Sequence, residues 1–255
     1  MITALSDTFA TIGLAHMLAI WGALVFAALI RAFTGFGFAL AAMPVLSLFV
    51  APTEAVVLTA SLTLAINLLT IRSFWPAAPK RQLLPILLAA SVGTGLGAQL
   101  LTRFSVAQFQ LWVGLGVVTA CLLLTVYHPL PQPPRRGIRE LTGLVSGLMN
   151  GAFAIPGPPI IIYAMATERD AGRSRSMLMT YFMLAAIVAL IIFGAAGYLS
   201  LRNLWLFMLA MPAMLLGDRI GFTLFRKFGT KMYRRIALAV LYAVGISITL
   251  KALLG

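Results

Sequence analysis

Long stretches without a single Asp, Glu, Lys or Arg follow one another along this chain: Thr8–Ile30, Ala32–Thr53, Ala55–Ile71, Gln82–Thr102, Phe104–Pro134, Leu141–Thr167, Ser176–Leu201, Asn203–Gly217 and Ile236–Leu250. A hydrocarbon core about 30 Å thick takes ~20 apolar residues per helix, and the runs suit that length. None alternates apolar and polar residues as an outer-membrane barrel strand does. Hydrocarbon offers no partner to an open backbone group, so helices remain as the way across. The fold class is an all-α integral membrane protein, a polytopic helix bundle. Composition agrees, with 61% of the 255 residues hydrophobic and only 10% charged, whereas a soluble domain is about a quarter charged. That apolar content, with 16 Phe, also excludes a disordered chain.

Lys and Arg number 19 against 6 Asp and Glu, a formal charge of +13. On a soluble domain such a surplus would suggest nucleic acid. Here the positives fall between apolar runs, where they mark loops that stay in the cytoplasm. Arg72, Lys80 and Arg81 share one connection, and Arg135, Arg136 and Arg139 another. Arg169, Arg173 and Arg175 share a third, and Arg226, Lys227, Lys231, Arg234 and Arg235 a fourth. The other connections hold only Arg103 and Arg202, and Lys251 lies near the C-terminus. The partner implied is the lipid bilayer, with no nucleic acid.

No cofactor or metal is expected. The single cysteine, Cys121, lies in an apolar run, so no disulfide closes within the chain. His16 and His128 are far apart, and a zinc site lacks its ligands. No Gly-x-x-x-x-Gly-Lys-Ser/Thr sequence is present to suggest drive by ATP. The opening MITALSDTFATIGLAH has neither a basic n-region nor a small-residue cleavage site, and reads as mature sequence.

By the charge rule, the segment from Glu140 to Thr167 begins and ends on the cytoplasmic side, and Ile155-Pro156-Gly157-Pro158-Pro159 divides it. Two halves of roughly 15 residues reach about 22 Å each, short of the core. A re-entrant or broken hairpin is expected there. A similar pattern stands earlier. Phe38-Ala39-Leu40 with Pro44-Val45-Leu46 aligns without gaps on Phe153-Ala154-Ile155 with Pro159-Ile160-Ile161, and Gly93-x-x-x-Gly97 matches Gly217-x-x-x-Gly221. The loop after the first break, Ala51-Pro52-Thr53, has no basic residue, whereas its counterpart carries Arg169, Arg173 and Arg175. The sequence therefore predicts two inverted repeats, each a broken or re-entrant helical hairpin plus three spans. The expected boundaries are residues 1–126, a Pro/Arg-rich cytoplasmic linker at 127–139, and residues 140–255.

The run Arg31-Ala-Phe-Thr-Gly-Phe-Gly-Phe-Ala-Leu40, with Pro44 beyond it, resembles the first signature of the sulfite exporter TauE/SafE family, also called the 4-toluene sulfonate uptake permease family. Ser146-Gly-Leu-Met-Asn-Gly-Ala-Phe-Ala-Ile-Pro-Gly-Pro-Pro159 resembles the second, in the branch with Gly-Pro-Pro in place of a Gly-Gly-Gly run. The resemblance extends over essentially the whole chain. It implies a bacterial inner-membrane carrier of sulfur-containing anions, such as sulfite or organosulfonates.

The motifs themselves suggest how an anion is held. Thr34-Gly35-Phe36-Gly37 and Asn150-Gly151 are read as points where apolar helices are interrupted. Glycine permits sharp turns and close approach of a ligand to the backbone. A restarting helix offers free N–H groups and the positive end of its dipole. Such backbone is tolerated in a bilayer where protein buries it or water fills the cavity it lines. The candidate substrate site comprises Arg31, Thr34, Gly35, Phe36, Gly37, Asn150, Gly151 and Gly157. Thr34 and Asn150 supply donors, and Phe36 or Phe153 gates the site or packs on an organic tail. Arg31, at a cost of at least about 2.5 kcal/mol in a membrane, either grips an oxyanion with its guanidinium fork, pairs within the protein, or snorkels to the interface. Asp218-Arg219 reads as a local pair, Glu54 as a cap, His16 as structural and the Gly-x-x-x-Gly pairs as close packing. Tyr163 is a substrate donor or an interfacial anchor.

The expected activity is secondary transport of a small anion by alternating access, one repeat rocking against the other. A carrier or channel for other small organic anions, such as carboxylates, is the alternative. A membrane scaffold or enzyme ranks lower, since the groupings of nucleophile, base or metal ligands that an enzyme needs are missing. The sequence leaves open the anion, the direction, the coupling ion and whether the chain forms a homo-oligomer.

Overall fold

The computed structural model describes residues 14–34, 37–126, 137–228 and 230–254, without the side chains of 14–17, 33–34, 124, 171, 225–240 and 254. Gly35, Phe36, His128, linker residues 127–136 and the side chains of His16, Thr34 and the basic residues between 226 and 235 lie outside the described residues.

Every regular element among the described residues is helical. The order is α1 (Leu14–Thr34), α2 (Phe38–Phe49), α3 (Pro52–Leu69), α4 (Lys80–Leu101), α5 (Val106–Val126), α6 (Ile138–Phe153), α7 (Gly157–Thr167), α8 (Ala171–Ala195), α9 (Leu201–Phe228) and α10 (Thr230–Leu254). Two 3₁₀ turns, Ile71–Ser73 and Trp75–Ala77, join α3 to α4. Helices α3, α4, α5, α8 and α9 contain segments long and apolar enough to cross a bilayer. With 16, 12 and 11 residues, α6, α2 and α7 measure roughly 24, 18 and 16 Å, each short of a core of about 30 Å. This is the broken-hairpin geometry expected from the charge pattern.

The outer surface is suited to lipid. On α4, Leu84, Leu88, Val92 and Leu96 are exposed at intervals of one turn, while Leu83, Ile86, Ala90, Gly93 and Gly97 are buried. In water such an apolar row is an unmet patch; against acyl chains it has no penalty. Leu204, Met208, Leu216 and Ile220 present the same kind of face on α9.

The two halves repeat one order: a helix, a break, a short helix, then three longer helices. Their contacts exchange in pairs. Helix α4 packs on α6 as α9 packs on α1, and α4 meets α8 as α9 meets α3, while α3 faces α8 and α5 faces α10. The register of this exchange is 119 residues, because α1 ends at Thr34 and α6 at Phe153, and α2 begins at Phe38 and α7 at Gly157. The ungapped alignment that sets Phe38 on Phe153 is therefore displaced by about one helical turn. Phe38 opens a helix and Phe153 closes one. Apolar helix sequences look alike when shifted by a turn, so Phe and Pro matches do not fix the register.

The glycines do fix it. Gly93 and Gly97 rest on Gly147 and Gly151 of α6, whereas Gly217 and Gly221 rest on Ala28 and Ala32 of α1. Both pairs of counterparts, Ala28 with Gly147 and Ala32 with Gly151, obey the same register. A Cβ on Gly97 would stand 2.2 Å from the Leu148 carbonyl oxygen, and one on Gly217 2.4 Å from that of Val25. The expected role of these glycines in close helix packing is thus visible at both interfaces. Helix α6 starts at Ile138, with the Gly137 amide donating to Glu140 Oε2 at 2.7 Å. The last two positions of the expected linker are accordingly helical.

Candidate substrate site

The first break turns at Gly37, whose φ of 95° lies in the left-handed region, where a Cβ is strained. The first backbone bond of α2 runs from the Ala41 amide to the Gly37 carbonyl at 3.0 Å. The amides of Phe38, Ala39 and Leu40 precede that ladder and have no acceptor among the described residues, as the first donors of a helix do. The second break turns at Ala154, with φ of 51°. The Ala154 amide donates to the Asn150 carbonyl at 2.8 Å and the Ile155 amide to the Met149 carbonyl at 3.3 Å, closing α6. Helix α7 then opens Gly157-Pro158-Pro159, and the prolines have no N–H to offer. The two helix starts are related in position and unequal in chemistry, the first rich in donors and the second poor.

Side chains hold the second break. Ser146 Oγ donates to the Pro156 carbonyl and accepts from Tyr181 Oη at 2.8 Å. Asn150 Nδ2 donates to the Ala185 carbonyl at 3.1 Å. Each of these bonds ties the α6–α7 hairpin to itself or to α8.

Both breaks meet at one cavity. Gly37 to Leu40 line it from the first break and Ala154 to Gly157 from the second, with Thr63 and Asn67 of α3, Phe182 and Ala186 of α8, and Arg31 and Asn150 at its edge. Its volume is about 40 Å³, room for a few waters or a small ion. In the 119-residue register Arg31 corresponds to Asn150, Thr63 to Phe182 and Asn67 to Ala186. The first half thus supplies a charge and two polar groups where the second supplies an amide and apolar groups.

Arg31 is held by α9 and α3. Its Nη1 donates to Asp218 Oδ1 at 3.0 Å, and its Nη2 to Thr70 Oγ1 at 2.9 Å, Asn67 Oδ1 at 3.1 Å and the Ile66 carbonyl at 3.4 Å. Of the expected alternatives, pairing within the protein is the one observed. Asp218 pairs with Arg31, not with Arg219, because neighbours in a helix do not face each other. Arg31 also lines a second cavity of about 1010 Å³, bounded by α1, the connection after α3, the start of α8 and α9. Among the described residues, no other lines both. The Arg31–Asp218 pair divides a wide vestibule from the small central cavity.

The remaining expectations divide. Gly157, Gly37, Asn150 and Arg31 all line the cavity. Thr34 ends α1. Asn150 and Gly151 do not interrupt a helix; both lie inside α6, and the break follows at Ala154. Gly151 serves packing, since a Cβ there would stand 2.1 Å from the Thr94 carbonyl oxygen. Phe153 stacks on Phe104 at 5.7 Å and lies 5.8 Å from Phe109, while Phe38 and Phe182 are the rings at the cavity. Tyr163 is buried, its hydroxyl without a partner among the described residues. Glu54 lies in the first turn of α3, as a dipole cap should, and pairs with Arg202 at 3.3 Å. Sequence reasoning passed over Thr63, Asn67 and Phe182. Asn67 did leave a signal, an amide near the end of the uncharged run Ala55–Ile71.

A multi-span bundle with equivalent halves whose two breaks line one cavity is an arrangement found in membrane transport proteins. The sulfite exporter TauE/SafE family profile matches residues 20–248, and the chain belongs to that family, whose members are transporters and not enzymes. The chain is 26% identical over 125 residues to the probable sulfite/organosulfonate exporter TauE of Cupriavidus necator, a match covering 49% of each chain. It thus spans about half the length of that curated relative. No solved structure matches the chain.

Proposed function

We propose that this protein is a secondary carrier of small sulfur oxyanions or organosulfonates in a bacterial inner membrane, working by alternating access around the cavity between the breaks. The meeting of both breaks at one cavity carries this reading, and the family and the named relative supply the substrate class. An oxyanion in the cavity meets the free amides at the start of α2, the positive end of that helix and the charge of Arg31. The vestibule opens beside Arg72, in the connection after α3, and beside Arg173 and Arg175, at the start of α8; their charge marks this side as cytoplasmic, so this conformation is open inward. The linker at 127–139 lies on the same side.

The moving bodies in this mechanism are not the sequence repeats. The closest contacts join the halves, α4 to α6 and α9 to α1, and would be torn by one repeat rocking against the other. Each broken hairpin moves with a long helix from the opposite half. Export of an anion from a negative cytoplasm gains about 2.3 kcal/mol per charge per 100 mV, so efflux needs no coupling ion.

Counterflow tests the reading. Proteoliposomes loaded with unlabelled sulfite should accumulate external radiolabelled sulfite faster than vesicles without internal sulfite. Sulfite flux without that stimulation would make the protein a channel, and stimulation by acetate but not by sulfite would overturn the sulfur reading.

A further inference from the structure

We propose that the vestibule, which Arg175 and Arg72 both line, contains a second anion site at Arg175, which binds a small oxyanion before it reaches the central cavity. The inference rests on the carrier reading, since it adds a loading step to the same path. Four arginines line the vestibule, together with Asp170 and Asp218. Arg31 is paired with Asp218 at 3.0 Å, and Arg173 Nε with Glu168 Oε2 at 3.1 Å. Asp170 caps α8 by accepting from the Arg173 amide at 2.7 Å. Among the described residues, no carboxylate lies within ion-pair distance of Arg72 or Arg175, while Asp218 acts on Arg175 from farther off.

Arg175 is also incompletely satisfied. Its Nη2 donates to the Ala32 carbonyl at 3.2 Å, but its Nε is buried and has no partner among the described residues. Buried donors without an acceptor are rare in folded proteins and call for an explanation. A guanidinium edge is the donor geometry that fits two oxygens of one sulfite or sulfonate group. The vestibule, at about 1010 Å³ against about 40 Å³ for the central cavity, also has space for an organic tail. Because Arg175 holds Ala32 of α1 just before the first break, an anion on its other donors acts on the backbone that must move.

Binding of radiolabelled sulfite to the purified, detergent-solubilised protein tests this. The wild type is expected to bind two equivalents. Arg175→Gln should bind one, and Ala186→Leu, which fills the central cavity, should retain the vestibule equivalent. Arg175→Lys keeps the charge but not the fork, and should weaken the vestibule site by roughly tenfold. If Arg175→Gln does not fold, Arg72→Gln should weaken the same equivalent while leaving the contact to Ala32 intact. One wild-type equivalent, lost in Ala186→Leu and unaffected by Arg175→Gln or Arg72→Gln, would overturn the vestibule site and leave the carrier standing. Neither binding nor flux of sulfite in the wild type would overturn both.

Discussion

Arg31 Nη1 lies 3.0 Å from Asp218 Oδ1, joining the first half of the chain to the second at the residue that lines both cavities. The side chains are 5% and 22% exposed, so removing one partner leaves a desolvated charge. Asp218→Asn is expected to lower stability by about 1–3 kcal/mol. The double variant Arg31→Gln/Asp218→Asn should recover part of the summed loss, with a coupling of about 1 kcal/mol or more. Thermal unfolding of the four proteins in detergent reads this out, and strictly additive losses would show the pair to be uncoupled.

Gly95 and Gly97 are neighbours on α4 with opposite surroundings. A Cβ on Gly95 meets nothing within 4 Å, whereas one on Gly97 would enter the backbone of α6. Gly95→Ala is expected to raise stability by up to about 1 kcal/mol through helix propensity, and Gly97→Ala to lower it by about 1–3 kcal/mol through overpacking. Melting temperatures in one detergent should move in opposite directions. Equal shifts would mean that α4 and α6 do not meet at Gly97.

Those glycines also show how much of the fold and site was readable. Uncharged runs and loop charges yielded the bundle, since burial in lipid is a property of single segments. Pro156 and the glycines around 35–37 located both breaks to within a few residues, since they mark backbone that cannot continue as a helix. Gly151 misled because a glycine that admits a neighbouring helix and one that turns the chain are identical in sequence. The sequence sets Asp218 beside Arg219, whereas its partner Arg31 lies 187 residues away, a relation that only packing creates. Thr63 and Phe182 escaped notice for the same reason.

The breaks contain a further asymmetry. Ala154 adopts a φ of 51°, while Gly37 adopts 95° without a side chain. A left-handed alanine costs roughly 1–2 kcal/mol, and glycine gives back about 0.5–1 kcal/mol in chain entropy. Ala154→Gly is therefore expected to be neutral or to stabilise by up to about 1 kcal/mol, and Gly37→Ala to destabilise by a similar amount. Thermal unfolding separates them. A marked loss in Ala154→Gly would show that its methyl group contributes packing that outweighs the strain.

Ala186 offers the most direct test of the path. It is 4% exposed and lines the central cavity opposite Asn67 in the exchange of halves. Leucine at this position adds three carbons to a space of about 40 Å³, enough to exclude a sulfite-sized anion. Filling a cavity adds contacts and is tolerated where the volume exists, so Ala186→Leu should fold and melt near the wild type. Its sulfite counterflow should fall at least about tenfold, a barrier increase near 1.4 kcal/mol. Ile191→Leu, on the exposed face of the same helix, should leave counterflow unchanged. Full exchange by a folded Ala186→Leu protein would place the substrate path outside the cavity where the two breaks meet.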